Sequence, residues 1–308
     1  MLSAPGAQQA MQNLFPTKGQ WQTEHSGGTW VSDQFTADFV EITEVLRNAE
    51  KSYVKWSLAL DQNLGPNLTL DAGLGGCNTC TPIVTVNSTT GAVTKDIEFY
   101  TLGQYSKYVL PGAVRIYSSD ANGIDTVAFK NPDGSKVLVA FNNTGASTSF
   151  RVQWGTQSFP YTLLALSAAT FTWTGTQTGT GTMPATEEIQ GSSYATENGL
   201  QRETTSDTTG GYDLGYLTNG ATAVYGNVDF GAGVSTVKVR EASAGSGATA
   251  KFYLDSSTGT PIATVTLPVT GAWQTWQTVS APVTAATGVH TLYVVFSSGA
   301  NVNWYQFQ

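Results

Sequence analysis

The sequence predicts a multidomain protein in which part of a (β/α)8 barrel is followed by two all-β sandwich domains. Three observations support this class. Residues 21–61 read as strand, helix and strand; the apolar pattern switches to period two between Ala113 and Trp173; and a Thr/Gly-rich stretch then leads into a second module with strands every eight to twelve residues. One strand–helix–strand unit and one further helix supply only a fraction of a barrel that takes about 250 residues. The expected boundaries are 1–111 for the barrel segment, 112–173 for the first sandwich, 174–187 for a linker and 188–308 for the second sandwich.

Residues 4–14 resemble the tail of a helix, stopped by Pro16. A short strand then ends at Thr23-Glu24-His25-Ser26-Gly27-Gly28. A strand's C-terminal end is where barrel enzymes expose catalytic side chains, and paired glycines let backbone and ligand approach closely. Glu24 is therefore the candidate nucleophile. Phe35, Phe39, Ile42, Leu46 and Ala49 recur at spacings of four and three, which marks one face of a helix. Tyr53 to Asp61 reads as the next buried strand, and residues 62–81 as a long loop of the kind that is usually functional. Ile83 to Val86 is a short strand, Ser88 to Gly91 a turn, and Asp96 opens a helix running to about Val109. Its expected apolar face is Phe99, Leu102, Tyr105 and Val109, and Pro111-Gly112 ends it.

Beyond Ala113, Val114/Ile116, Val127/Phe129, Val137/Val139/Phe141, Phe150/Val152/Trp154 and Phe171/Trp173 alternate with polar residues, and Asn131-Pro132-Asp133-Gly134 is a hairpin turn. Residues 174–186 are almost all small or hydroxylated and read as flexible. The final module shows strand periodicity only.

Composition narrows the function. Charged residues are 12% and aromatics 11%, with abundant Gly, Thr and Ser, a mixture that suits β-rich extracellular polysaccharide-active proteins. A formal charge of −8 without a basic run argues against nucleic acid and anionic membranes as partners. No apolar run reaches the roughly 18 residues of a membrane span. Met1-Leu2-Ser3-Ala4-Pro5 shows no secretory signal, so secretion is inferred from composition alone. The two cysteines, Cys77 and Cys80, rule out a four-cysteine zinc site; His25 and His290 leave a mixed site arithmetically open. Their Gly/Asn-rich loop favours a small structural disulfide over a redox pair.

Three motifs, in order, resemble glycoside hydrolase family 30, the glucosylceramidase-like family that also holds β-1,6-glucanases. They are Pro16-Thr17-Lys18 through Gly28, Lys55-Trp56-Ser57-Leu58-Ala59-Leu60-Asp61, and Glu98-Phe99-Tyr100-Thr101-Leu102-Gly103-Gln104-Tyr105-Ser106-Lys107-Tyr108-Val109 with Pro111-Gly112-Ala113. The resemblance covers about residues 10–173. It implies that the barrel segment is the last strands only, with Glu24 as the nucleophile on the seventh, Trp56 facing the sugar on the eighth, and 113–173 as the sandwich packed on the barrel. A retaining glycosidase needs a second carboxyl about 5 Å away. In that family it lies on the fourth strand, which has no counterpart in this sequence, so the 308-residue chain is expected to be inactive alone.

The second module resembles carbohydrate-binding module family 6, through Gly211-Tyr212-Asp213-Leu214-Gly215-Tyr216, Thr270-Gly271-Ala272-Trp273-Gln274-Thr275-Trp276 and Asn301-Val302-Asn303-Trp304-Tyr305. The resemblance implies that Tyr216 and Trp276 sandwich a sugar, that Asn303 bonds its hydroxyls and that Glu203 adds a polar contact, with Trp273 and Trp304 packed in the core. A pyranose offers C–H faces to rings and hydroxyls to amides and carboxylates. Family 6 modules usually open with an acidic calcium-binding segment, whereas Ile189-Gln190-Gly191-Ser192-Ser193, Gln306 and Gln308 carry no carboxylate. No cofactor is expected, structural calcium being the one candidate. Two functions follow: the C-terminal portion of a retaining β-glycosidase acting on a β-glucan, with an appended binding module, or a non-catalytic carbohydrate-binding protein with a vestigial hydrolase segment. In both the partner is a β-linked polysaccharide and the chain is a secreted monomer.

Overall fold

The computed structural model describes residues 5–66 and 77–308, so part of the loop expected over 62–81 lies outside the described residues. The fold is mainly β, made of several sheets with few helices. Two compact units divide it: Met1–Ile116, Val127–Val139 and Ala168–Thr174 form the first, and Tyr117–Thr126, Ala140–Ser167 and Gly175–Gln308 the second.

The first unit opens with α1 (Pro5–Leu14), β1 (His25–Ser26), α2 (Gln34–Arg47) and β2 (Lys55–Trp56). Asp33 caps α2 by accepting from the Thr36 amide at 3.1 Å. β1 and β2 pair in parallel, His25 opposite Lys55 and Ser26 opposite Trp56. The single strand expected over 53–61 is instead two short pieces. The second, β3 (Ala59–Leu60), leaves β2 and pairs with β4 (Val84–Val86), which in turn pairs with β5 (Val93–Lys95), a strand without a sequence signal.

The second helix, α3 (Ile97–Ser106), buries a different stripe from the expected one. Glu98, Thr101 and Tyr105 are inside, while Phe99 is exposed. A buried ion pair accounts for this. Asp38 on α2 is bonded to the ammonium of Lys55, and both side chains are almost fully out of solvent. Thr101 Oγ1 donates to Asp38 Oδ2 at 2.9 Å and Gln34 Nε2 to Asp38 Oδ1 at 2.7 Å. A buried charge without partners is costly, so α3 turns Thr101 toward Asp38, with Tyr105 packed on the same side against Phe39 and Phe99 left outside.

β6 (Val114–Ile116), β7 (Ile124–Lys130), β8 (Lys136–Asn142) and β11 (Ala168–Trp173) form a sheet in the order β11-β8-β7-β6, and β9 (Thr148–Trp154) pairs antiparallel with β10 (Gln157–Leu163). Only β10 was not anticipated.

The rest of the second unit is a sandwich of two six-stranded sheets. One comprises β12 (Met183–Pro184), β14 (Thr196–Asn198), β17 (Ala221–Asp229), β19 (Ala248–Leu254), β20 (Ala263–Leu267) and β22 (Val289–Phe296). The other comprises β13 (Ile189–Gln190), β15 (Gln201–Thr204), β16 (Tyr212–Gly215), β18 (Val234–Ala242), β21 (Gln277–Ala286) and β23 (Asn301–Phe307). Tyr225, Phe252, Leu292 and Phe296 of the first meet Leu214, Val237, Tyr305 and Phe307 of the second in a single core. Residues 174–187 are engaged too: the Thr156 amide donates to Thr178 O at 2.8 Å, and β12 adds to the edge of β17.

Within this unit the turn between β6 and β7 lies against the sandwich. Arg202 of β15 contacts Asp120 at 2.9 Å and Asp125 at 3.6 Å, all three side chains being at most 4% exposed. Tyr117 OH donates to Ser193 O at 2.7 Å and Ser193 Oγ to Asp120 O at 2.8 Å. Gly123 and Gly211 approach so closely that a Cβ on Gly211 would sit 3.0 Å from the Gly123 Cα. Removing Arg202 would take the guanidinium away from two buried carboxylates. Arg202→Ala should cost about 3 kcal/mol in urea unfolding followed by tryptophan fluorescence, and a loss below about 1 kcal/mol would show that the turn does not depend on this ion pair.

Candidate functional site

The C-terminal sandwich concentrates polar chemistry at one end of the β15-β16-β23 sheet. Glu203 on β15 pairs across the ladder with Asp213 on β16. Its carboxyl folds over Gly215, where a Cβ would lie 2.8 Å from Glu203 Cδ, so only glycine leaves it room. The next residue, Tyr216, sits at φ 53° in the left-handed region, and its ring is 66% exposed. This backbone costs a non-glycine residue roughly 1 kcal/mol or more. Opposite, Asn301 on β23 donates through Nδ2 to Glu203 Oε1 and to the carbonyl of Trp273 at 3.0 Å. Trp273 is 47% exposed at the tip of the 270–276 loop. A chain of direct contacts therefore runs from Tyr216 through Gly215, Glu203 and Asn301 to Trp273. Two exposed aromatic residues are thus connected to a carboxylate and an amide.

Gln274 ties this together. Its Nε2 donates to Asp213 Oδ2 at 2.9 Å and Glu203 Oε1 at 3.2 Å, while its Oε1 accepts from the Ser206 amide at 2.7 Å and Trp276 Nε1 at 3.2 Å. Asp213 is wholly buried. Desolvation above all, helped by the nearby charges of Glu203 and Asp207, pushes its carboxyl up to about 8 against the pull of Gln274 and Thr205.

The sequence-derived residues fall unevenly on this arrangement. Tyr216 and Glu203 lie in it. Trp276 is half-buried beside it, next to the start of β21, and touches it only through Gln274. Trp273, expected in the core, is the exposed ring, while Trp304 is 9% exposed. Asn303 is 0% exposed, and its Nδ2 is committed to Asp207 Oδ2 at 2.9 Å and Thr209 Oγ1 at 2.8 Å. Asp207 is in turn held by Arg240 through two bonds of 2.8 Å, and these partners keep its carboxyl below the usual range despite burial. Asn301 and Gln274 were missed. On β23 Arg240 pairs with Trp304 but Glu241 with Val302, so one residue is skipped and side-chain parity flips, which sets Asn301 and Asn303 in different surroundings.

In the first unit, Glu24 precedes β1 and is exposed. Alternation puts Glu24 and Trp56 on one face of the β1–β2 pair, opposite to buried Lys55. Trp56 is 48% exposed, with Trp21 and Trp30 also open to solvent. Cys77 and Cys80 form a disulfide. The described residues hold no cluster of three or more His, Cys, Asp or Glu side chains able to bind a metal ion. The segment where calcium would sit does not suit it: Ser193 Oγ is bound to Asp120 O and Gln306 Nε2 to Thr186 O, with no carboxylate in 189–193.

Residues 112–171 match the glycosyl hydrolase family 30 β-sandwich domain, and residues 190–308 match carbohydrate binding module family 6. Each match covers less than half of the chain. An endo-1,6-β-D-glucanase of Aspergillus fumigatus is 32% identical over 142 residues, 43% of this chain and 27% of that protein. An endo-1,4-β-xylanase A of Thermoclostridium stercorarium is 35% identical over 132 residues, 43% of this chain and 20% of that protein. A solved endo-β1,6-glucanase structure aligns with a TM-score of 0.51 at 30% identity, covering 56% of this chain and 40% of the other. The chain thus spans a minority of each of these relatives.

In residues 190–308 the raised Asp213 carboxyl leads to an expected pH dependence of stability. A carboxyl raised on folding stabilises fully below its unfolded value near 4, and this contribution is lost as pH rises to about 8. Unfolding free energy should decline across that window, and Asp213→Asn should remove part of the decline; an identical slope in the variant would show that Asp213 does not carry it.

Proposed function

We propose that the C-terminal module holds a β-linked polysaccharide between Tyr216 and Trp273, over Glu203 and Asn301. The observation that carries this reading is that two exposed aromatic residues are tied to one carboxylate–amide pair, Trp273 through its carbonyl to Asn301 and Tyr216 through its neighbour Gly215 beneath Glu203. Rings stack on the C–H faces of a pyranose and lose water in doing so. Both amide hydrogens of Asn301 are spent on protein acceptors, so it offers a sugar its carbonyl oxygen. Glu203 accepts from hydroxyls. A β-glucan, β-1,6-linked or related, is the ligand class favoured by the glucanase likeness. The disulfide suits an oxidising, extracellular setting.

A second reading concerns residues 1–173. Glu24, which stands just before β1 rather than at the strand's C-terminal end as expected, and Trp56 at the end of the adjacent parallel β2 share an open face, which favours the last part of a (β/α)8 barrel from a retaining glycosidase. Glu24 is then the nucleophile and Trp56 a sugar platform. A retaining mechanism needs a paired acid/base carboxyl, so the 308-residue chain should not turn over an aryl β-glucoside above background, and Glu24→Gln should change nothing. Glu24-dependent turnover would show that another carboxyl serves as acid/base.

The binding reading is tested by calorimetry of the full chain against β-1,6-glucan, β-1,3-glucan and xylan. Tyr216→Ala and Trp273→Ala should each cost about 1 to 3 kcal/mol, enough to abolish weak binding in practice. Asn303→Ala should act chiefly on stability. Undiminished binding by Trp273→Ala would overturn the assigned cleft.

A further inference from the structure

We propose that Gln274 is the positioning residue of this cleft, fixing Glu203 and the 270–276 loop in the geometry that grips a sugar, with Asp213 as the acceptor that holds Gln274 in place. The inference rests on the binding reading above and goes beyond it by assigning roles to two residues without an exposed ring or a free hydroxyl to offer.

One amide group reaches four structural elements. Through Nε2, Gln274 spans β15 at Glu203 and β16 at Asp213; through Oε1 it takes the Ser206 amide from the 205–211 loop and the Trp276 indole from the start of β21. Ser206 Oγ also donates to the Gln274 carbonyl at 3.4 Å. Gln274 is the immediate neighbour of Trp273, so whatever orients its side chain also orients the exposed ring. An amide can do this because it carries two donors and an acceptor with two lone pairs on one rigid plane. No other uncharged side chain of that length offers both functions.

The arrangement has a condition. Glu203 and Asp213 both accept from the same Nε2, and Asp207, in the loop after β15, adds a third carboxylate facing Asp213. Arg240 on β18 is committed to Asp207 through two bonds, and Glu241 on the same strand is bonded to Gln277. No cation therefore faces Asp213 directly among the groups that shift its titration, which are Glu203, Gln274, Thr205 and Asp207. A neutral Asp213 shares the amide with Glu203 without repulsion. Ionised Asp213 sets a buried negative charge beside the half-buried Glu203 carboxylate on one donor, which is unfavourable. With its carboxyl pushed up to about 8, that change falls at mildly alkaline pH. The grip on the 270–276 loop should then loosen and affinity fall as pH rises beyond that point.

The experiment pairs a ligand readout with a ligand-free one, both on the full chain. Affinity for soluble β-1,3-glucan is measured at pH 6.5 and 9.5 for the parent, Gln274→Ala and Asp213→Asn, and hydrogen exchange at the Ser206 amide is measured without ligand. The parent should lose at least tenfold in affinity between the two pH values, and Gln274→Ala should lose at least tenfold at pH 6.5 while keeping its circular dichroism. Asp213→Asn should vary less than twofold between pH 6.5 and 9.5, whatever its starting affinity. The Ser206 amide, bonded to Gln274 Oε1, should exchange at least tenfold faster in Gln274→Ala. Equal parent affinity at both pH values, or an Asp213→Asn variant with the parent's pH dependence, would overturn the role of Asp213. Unchanged Ser206 exchange in Gln274→Ala would overturn the positioning role even if no glucan binds, whereas absent binding with faster exchange would count against the binding reading alone.

Discussion

Desolvation of carboxylates is the constraint on which both halves of the structure turn. A carboxylate taken out of water needs several donors, and the chain supplies them at three places: Asp38 in the first unit, Asp120 with Asp125 at the β6–β7 turn, and the Glu203–Asp213–Asp207 group in the C-terminal sandwich. Each group dictates the orientation of what surrounds it. Asp38 draws Thr101 and Lys55 inward and so rotates α3. In the C-terminal sheet, Asp207 takes Asn303 and Arg240, and Glu203 takes Asn301. One asparagine is thereby locked into the framework and the other is left at the edge of a cleft.

The same constraint separates framework from function among the aromatic residues. Tyr225 and Tyr305 are fully buried, with Tyr225 OH bonded to Gly191 O at 2.7 Å, and they fill the space between the sheets. Tyr216 and Trp273 are held outward by backbone and by polar neighbours rather than by packing. A ring that stays exposed on a scaffold otherwise able to bury it is available for a ligand, and the polar group beneath it decides which ligand suits it.

Much of this was legible in the sequence. The change from helical to alternating periodicity located both sandwiches, and Asp96 marked the start of α3. What escaped has physical causes. Asn303 was singled out by resemblance; in the structure a bulge midway along β23 flips its faces, and Asn303 Nδ2 is committed to Asp207 and Thr209. The tryptophans of Trp273-Gln274-Thr275-Trp276 differ only in that one caps a loop and the other abuts a strand, a distinction that requires the strand boundary. β5 and β10 were missed because their residues are almost entirely exposed and so carry no burial signature. Of the expected apolar face of α3, Tyr105 is buried and Leu102 and Val109 half-buried, but Phe99 is outside, because the buried Asp38–Lys55 pair, remote in sequence, draws Thr101 inward.

The central claim is that a sugar is gripped between Tyr216 and Trp273 over Glu203 and Asn301. The most direct measurement is a 1H–15N titration of the chain with a β-gluco-oligosaccharide, following tryptophan indole and asparagine side-chain signals. Trp273 Nε1 and Asn301 Nδ2 should shift together and saturably, with Asn303 Nδ2 nearly still. Shifts centred on Asn303 and Trp304, or on Trp21 and Trp56 with Trp273 unmoved, would contradict the account.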